Sequence, residues 1–170
     1  MEKRGRTLIT GLNATSLIFA IGFLMASEDK DHLYGAIKEL TYRFQDASVP
    51  PEYHRSYTIT VTPDKVRIVI DSYGEILADK RYGITEEQFN NVKNSIEKNR
   101  IRNCTLGEDE GCSGGTIEII SYSDGESEIF SGSVYHCGGK DTGNLCGDIT
   151  SFADDVKNLL PNFRELVLFH

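Results

Sequence analysis

A strict alternation of hydroxyl and apolar side chains over residues 56–62 constrains the fold of this chain more than any other feature. A period of two is the period of a β-strand, so these residues predict a strand with one apolar face. A turn with Pro63 at its favoured second position follows, and residues 66–71 predict the return strand. Facing apolar residues then join one core: Val61 with Val66, Ile59 with Ile68, and Tyr57 with Ile70. The sequence therefore predicts a half-buried antiparallel hairpin.

The next segments extend this hairpin into a meander followed by a helix. Residues 76–82 predict a third strand. A helix is expected from residue 86 to about residue 98, because the sequence around its start matches two N-terminal signals. These signals are the capping box of Thr85 and Gln88 and the hydrophobic staple of Ile84 and Phe89.

The second half of the chain predicts another hairpin and a final helix. Strands at 117–120 and 128–136 flank Asp124-Gly125, a dipeptide typical of a two-residue type I′ turn. A helix is expected to start at Ser151, with Asp154 as its capping partner, and the apolar tail is expected to pack as a short helix or strand.

An amphipathic helix is predicted over residues 27–44, because Leu33, Ile37, Leu40 and Phe44 recur at helical spacing. The predicted order is then α-βββ-α-ββ-α. Runs of strands between helices favour the α+β class, with an antiparallel sheet of about five strands, a three-strand meander plus a hairpin, and helices packed on one face. The chain of 170 residues has room for one such domain, over 27–170.

The meander from Tyr57 to Tyr82, the capped helix opening Ile-Thr-Glu-Glu-Gln-Phe and the second hairpin together resemble the layout of small exported bacterial domains of uncharacterised function. This resemblance covers about two thirds of the chain and lies in the pattern of elements. It implies an exported domain and assigns no catalytic residue.

The N-terminus has the layout of a secretory signal. Basic residues within the first six positions precede an unbroken apolar run from Leu17 to Ala26, and a charged run at 28–31 ends it. Residues 1–26 therefore predict a signal peptide or an N-terminal membrane anchor. Both outcomes place the domain outside the cytoplasm, whether periplasmic, secreted or anchored, because the basic residues stay inside.

The charge of the chain limits its partners. The formal net charge is −8 at pH 7, and such a field repels phosphate backbones and anionic lipid headgroups. We therefore expect no nucleic-acid partner, and contact with a membrane only through the N-terminal segment. No motif calls for a cofactor, so none is expected.

The four cysteines are Cys104, Cys112, Cys137 and Cys146, and an even number in an exported chain predicts two disulfides. With a two-residue turn at 124–125, Cys112 faces Cys137, which leaves Cys104 for Cys146. The alternative is local pairing, Cys104 with Cys112 and Cys137 with Cys146. Gaps of seven and eight residues are wider than zinc ligands usually show, so no metal is expected.

The glycine-rich segment 137–148 is the best candidate for a contact surface, because function concentrates on such loops. The candidate binding loop consists of Gly138, Gly139, Lys140, Asp141, Asn144 and Asp148. Its spacing fits neither a P-loop nor an EF-hand. The simpler interpretation is a structural connection that a disulfide closes and that ends at a helix cap.

These observations predict a non-enzymatic exported domain, either a binding or a structural module of the cell envelope. Its partner would be a protein or another envelope component. The alternative is a small hydrolase or thiol enzyme that uses His136 with Cys137 or Cys112. Two disulfides would leave no cysteine nucleophile, and sequence neighbours on a strand point to opposite faces.

Overall fold

The computed structural model describes residues 34–107 and 113–168. The strands are β1 Glu39–Gln45, β2 Ser56–Thr62, β3 Lys65–Ser72, β4 Glu75–Gly83, β5 Arg102–Asn103, β6 Thr116–Ser123, β7 Glu128–Cys137, β8 Lys140–Gly143 and β9 Leu145–Cys146. Seven of them form one antiparallel sheet in the order β4-β3-β2-β1-β6-β7-β8, and β5 pairs with β9 in a separate two-stranded sheet. The helices are α1 Glu86–Lys98, α2 Ile149–Lys157 and α3 Phe163–Leu168. All of these elements belong to the unit Ala36–His170.

The first hairpin and the capped helix follow local sequence signals. β2 and β3 pair in the predicted register, with Ile59 opposite Ile68. Helix α1 begins with the predicted capping box: Thr85 Oγ1 accepts from the Gln88 N–H at 3.2 Å, and Gln88 Oε1 accepts from the Thr85 N–H at 2.9 Å. These two predictions are confirmed.

The predicted fold class is wrong. The chain is mostly sheet, with seven strands in the main sheet rather than five and few short helices, so an α+β fold with helices packed on one face does not describe it. One reason is β1, which lies in the middle of the sheet between β2 and β6, where a helix over 27–44 was predicted. The apolar residues Leu40, Tyr42 and Phe44 also fit a period of two, and strand partners on both sides favour that period. The second reason is β8, which pairs with β7 where a loop was predicted.

The second hairpin has a different turn from the predicted one. Thr116 faces His136, three residues away from the register that a two-residue turn would set. The Asp124 carboxylate accepts hydrogen bonds from the backbone N–H groups of Glu126 and Ser127, at 2.9 and 2.8 Å, and the Asp124 N–H donates to Ser127 O at 3.2 Å. These bonds close a longer turn, because an aspartate side chain can replace the backbone partner that a tighter turn would supply.

Helix α2 begins earlier than predicted. Its N-cap is Asp148, whose Oδ1 accepts from the Ser151 N–H at 3.0 Å, so the predicted start at Ser151 with Asp154 as capping partner is wrong. The carboxylate also accepts from the Ser151 hydroxyl at 2.8 Å. Both hydrogen bonds and the backbone dipole of the helix start favour the ionised form, which agrees with the lowered pKa of Asp148.

One face of the main sheet is buried, and we call it the buried face. Its solvent-shielded residues alternate along the strands and include Leu40, Tyr42, Ile59, Val61, Val66, Ile68, Ile70 and Ile120, each with zero exposure. Phe163 of α3 meets Tyr57 edge-on, with ring centroids 5.2 Å apart, and Lys157 of α2 lies over the Tyr42 ring. Burial of each large apolar side chain contributes roughly 1.5–3 kcal/mol, so this face is the main source of stability.

The small sheet also lies against the buried face. Leu145 of β9 is fully buried, and a Cβ atom placed on Gly132 of β7 would come within 3.0 Å of its Cδ1 atom. Glycine at position 132 therefore lets β9 approach β7 closely. Cys104 and Cys146 form a disulfide beside this contact, so the predicted presence of disulfide bonding is confirmed for this pair.

No helix within residues 34–107 and 113–168 is long and apolar enough to cross a membrane. The predicted signal or anchor at 1–26 lies outside the described residues.

Candidate ligand-binding groove

The opposite face of the main sheet, which we call the open face, carries a groove of about 880 Å³. This volume lies within the range of small-molecule sites. Residues from all seven strands of the sheet line the groove in a row across the strands, and the row consists of Ile76, Asp71, Ser56, Gln45, Ile117, Tyr135 and Thr142. Because neighbouring strands lie about 4.8 Å apart, such a row is about 29 Å long. The groove therefore suits an elongated ligand that lies across the strands.

The register of the strands assembles this row. Ser56 pairs with Asp71 and Asp71 with Ile76, while Gln45 pairs with Ile117 and Ile117 with Tyr135. Along the groove, three polar residues of β3, β2 and β1 therefore lie between the apolar side chains of Ile76 and Ile117. The polar groups interrupt any continuous apolar strip.

Tyr73 forms one rim of the groove in an unusual conformation. Its φ is +51°, a left-handed value that an aromatic residue rarely adopts. Two contacts hold it there: its hydroxyl donates to Val49 O at 2.5 Å, and its ring stacks on His54 with centroids 3.9 Å apart and planes inclined by 22°. The side chain nevertheless remains 57% exposed. The positive φ is what the two-residue turn Tyr73-Gly74 between β3 and β4 requires, so the hairpin itself places this exposed aromatic ring at the edge of the groove.

His54 supports Tyr73 from below. It is only 5% exposed, and its Nε2 atom shares a hydrogen bond of 3.3 Å with Ser56 Oγ. Its Nδ1 atom is buried and has no hydrogen-bond partner within the described residues. A buried polar atom without a hydrogen-bond partner lowers the stability of the fold, so other contacts of His54 must offset this loss. The stacked Tyr73 ring is the contact that would be lost if His54 turned outward.

The charged groups of the groove differ in how they are engaged. Asp46 accepts from the N–H groups of Ala47 and Arg55 at 2.8 and 2.9 Å, and Asp71 accepts from the Gly74 N–H at 3.0 Å. Both carboxylates therefore stabilise the local backbone. The guanidinium of Arg43 is exposed at the centre of the sheet, and no residue in the described ranges pairs with it.

A second arginine on the open face shows what a partnered guanidinium looks like in this protein. Arg67 donates to both carboxylate oxygens of Asp79, from Nε and Nη2, each at 2.8 Å. This bidentate pair holds the pKa of Asp79 below its usual value. Arg43 has the same fork of donors without such a partner.

A separate polar cluster joins β1, β6, β7 and β8 on the other side of the sheet. Tyr42 donates its hydroxyl to Glu118, and His136 contacts Glu118 Oε2 through Nε2 at 3.1 Å and Asp141 Oδ1 through Nδ1 at 2.7 Å. Burial alone lowers the pKa of His136, but the two carboxylates outweigh burial and the net pKa is raised. Burial raises the pKa of Tyr42 far above its usual value, with added contributions from Tyr57 and Glu118. The cluster ties the edge strand β8 to the middle of the sheet.

The structure separates the residues of the predicted candidate binding loop. Lys140 and Asp141 belong to the edge strand β8, and Asp141 binds His136. Asn144 accepts from the Ser133 N–H at 2.8 Å, and Asp148 caps α2. Gly138 and Gly139 form the turn between β7 and β8, with positive φ. The described lining of the groove contains Thr142 and Gly143 from this segment and none of the six candidates.

The cysteines are placed as half-cystines where the structure describes them. Cys104 bonds Cys146 with Sγ atoms 1.99 Å apart, and Cys137 is also disulfide-bonded. Cys112, the predicted partner of Cys137, lies outside the described residues. The register behind that pairing is wrong, because a Cβ on Gly115 would lie 2.8 Å from the Cys137 Cβ, so Gly115 occupies the position opposite Cys137. The pair Cys112 and Cys137 stays a prediction.

The groove residues were missed by reasoning from the sequence alone. Arg43 fell within the predicted helix, and Tyr73 and His54 fell in connecting segments. One signal was present: Tyr73 is an aromatic residue inside the turn Ser-Tyr-Gly-Glu, where polar residues are usual. Comparisons with models of known protein families, with curated proteins and with solved structures find no match.

Proposed function

We propose that this chain is an exported, non-enzymatic binding module that holds a component of the cell envelope in the groove on its open face. The observation that carries the proposal is the groove of about 880 Å³, with an exposed Tyr73 held at its rim and, within its lining, an Arg43 that pairs with none of the residues the structure describes. Sites for ligands combine concave shape, aromatic surface and a few placed polar groups. The groove has all three features.

Export is supported by two independent observations. The disulfide between Cys104 and Cys146 is compatible with an oxidising compartment. The basic and apolar pattern of residues 1–26 is typical of an export signal. Under this proposal the groove faces material outside the cytoplasm.

The enzymatic alternative has less support from the geometry. A thiol hydrolase needs a thiolate beside a base, whereas Cys137 is held in a disulfide. Both ring nitrogens of His136 contact carboxylates, and neither His136 nor Glu118 is among the residues that line the groove. The groove on the open face is therefore a binding surface in this proposal.

Blocking the groove tests the proposal. Ser48 is exposed and lines the groove, so Ser48→Trp in the full, oxidised chain should fill it without disturbing the sheet. Ser131→Trp is the matched control, because Ser131 is an exposed serine of β7 outside the groove lining. Solubilised membrane protein and water-soluble polysaccharide from the native envelope are passed separately over each immobilised variant.

We expect the wild-type chain and Ser131→Trp to retain the same material and Ser48→Trp to lose it. Equal retention by all three proteins would contradict the proposal, as would no retention by the wild-type chain. Far-UV circular dichroism of each variant confirms that the sheet is intact.

A further inference from the structure

Building on the proposed function, we infer that the occupant of the groove is a saccharide chain that bears a carboxylate group, with Tyr73 stacked against a sugar ring and Arg43 paired with that carboxylate. The inference names the ligand class of the groove already described. It is carried by the aromatic rim, the row of polar side chains and the unpaired cation.

Tyr73 offers a flat apolar surface in a fixed position. His54 covers one side of its ring at a centroid distance of 3.9 Å, and the side chain is still 57% exposed, so the other side is accessible. The C–H face of a pyranose is flat and apolar, and it packs well on an aromatic face. Because the hydroxyl is held by Val49 O, the ring loses little conformational freedom when a ligand binds.

The floor of the groove suits the edges of sugar rings. Gln45 and Thr142 present an amide and a hydroxyl group, which both donate and accept hydrogen bonds. Saccharide hydroxyls also do both, so each can find a partner in either orientation. These two side chains lie on β1 and β8 of the row, so they can contact different sugar units of one chain.

Arg43 is the reason to expect a negatively charged group on the ligand. A guanidinium binds a carboxylate through two parallel hydrogen bonds, as Arg67 does with Asp79 in this protein. Asp46 and Asp71 accept hydrogen bonds from backbone N–H groups, and within the described residues neither pairs with Arg43, so its guanidinium is open to an external partner. With one unpaired cation and two fixed anions in the lining, a singly charged carboxylate fits better than a phosphate monoester, whose charge approaches −2.

Other classes of occupant fit this surface less well. An acyl chain needs a continuous apolar strip, and Asp71, Ser56 and Gln45 interrupt it. An extended peptide gains affinity by pairing its main chain with a sheet edge, whereas the groove lies on a sheet face whose backbone groups already pair between strands. A nucleic acid carries a negative charge at every nucleotide, which the formal net charge of −8 opposes more strongly than it opposes the single carboxylate of this saccharide.

The experiment compares a tetrasaccharide that carries one galacturonic acid residue with its methyl ester, which keeps the sugar rings and removes the charge. Binding to the full, oxidised chain is measured by isothermal titration calorimetry. We expect the acid to bind more tightly than the ester. Arg43→Gln should weaken binding of the acid about tenfold and leave the ester unchanged, since a charged hydrogen-bonded pair is lost.

Tyr73→Asn should weaken binding of both forms severalfold, because it removes the stacking surface. Asparagine tolerates the left-handed backbone at this position, so the turn should be kept. The matched controls are Arg164→Gln and Tyr53→Asn, exposed residues outside the groove lining, which should bind as the wild-type chain does. If Tyr73→Asn does not fold, Arg43→Gln decides, because Arg43 is exposed and its loss leaves no buried group unpaired.

The inference is overturned if neither saccharide binds, or if acid and ester bind equally and Arg43→Gln changes neither. Binding of an unstructured peptide or a fatty acid instead of both saccharides overturns it in favour of that class. In these cases the proposed function still stands if Ser48→Trp loses envelope material that Ser131→Trp retains. Equal retention by those two variants would remove the proposed function as well.

Discussion

The buried face and the open face of the sheet use alternate residues of the same strands, yet they differ in chemistry. On β3, Ile68 has zero exposure on the buried face, while its neighbour Val69 lines the groove on the open face. On β1, Tyr42 is fully buried and Arg43 is exposed. Because successive side chains of a strand point to opposite sides, one strand can stabilise the fold and form a binding surface. Substitutions on the buried face should therefore lower the stability of the fold, whereas substitutions on the open face should weaken ligand binding and leave stability nearly unchanged.

Removing the covalent link beside the buried face should have the largest effect. Cys104 and Cys146 are 42 residues apart in sequence, and opening a loop of this length should lower the free energy of unfolding by about 4 kcal/mol on the chain-entropy model. The variant is Cys104→Ser with Cys146→Ser, measured by urea unfolding under non-reducing conditions. Chemical reduction is a poorer experiment, because it would also open the disulfide of Cys137.

Binding of envelope material by this double variant, measured well below its unfolding midpoint, should match that of the wild-type chain, because neither cysteine lines the groove. A stability loss under about 1 kcal/mol would mean that the small sheet does not hold the buried face together.

Adjacent substitutions on β3 give the sharpest test of the two faces. Ile68→Ala removes a fully buried side chain and should cost about 3 kcal/mol. Val69→Ala, one residue further along, should cost less than about 1 kcal/mol, because its side chain is partly exposed in the groove. Both values come from urea unfolding. Similar costs for the two variants would show that the faces do not differ as described.

The smallest expected effect is the pH dependence that arises from His136. Its two facing groups are Glu118 on β6 and Asp141 on β8, and its pKa in the folded chain is raised above the ordinary value near 6.5. The protonated form is therefore favoured by folding. Its contribution to stability is fully present below about pH 6.5 and is lost as the pH rises through the folded pKa.

Because the His136 side chain is 35% exposed, the contribution should stay under about 1 kcal/mol. The measurement is the free energy of unfolding at about pH 5.5 and about pH 8.5 in the wild-type chain and in His136→Gln. The wild-type chain should lose more stability towards high pH than the variant does. Equal changes, or a larger loss in the variant, would contradict the ion pairs on this side of the sheet.

The parts of the fold that were predicted correctly depend on interactions between residues close in sequence. The hairpin of β2 and β3 needs only a period of two and a short turn, and helix α1 needs only its own capping box at Thr85 and Gln88. The predicted register of β6 and β7 was wrong, because the Asp124 carboxylate accepts hydrogen bonds from two backbone N–H groups and so closes a longer turn. The choice between a two-residue and a four-residue turn at this position depends on hydrogen bonds to one side chain, and the residue types alone do not show whether those bonds form.

The amino-acid sequence by itself determined which face of the first hairpin is apolar, where helix α1 begins, and that cysteines form disulfides. It left two pairings open, and only the structure shows the bond between Cys104 and Cys146. Only the tertiary structure decided that residues 39–45 form a central strand, since their apolar residues fit both a helical and a strand period until β2 and β6 supply partners. The groove also depends on the tertiary structure. Its residues are far apart in the chain and polar enough to pass for ordinary surface, and they become neighbours only when seven strands align them in one row.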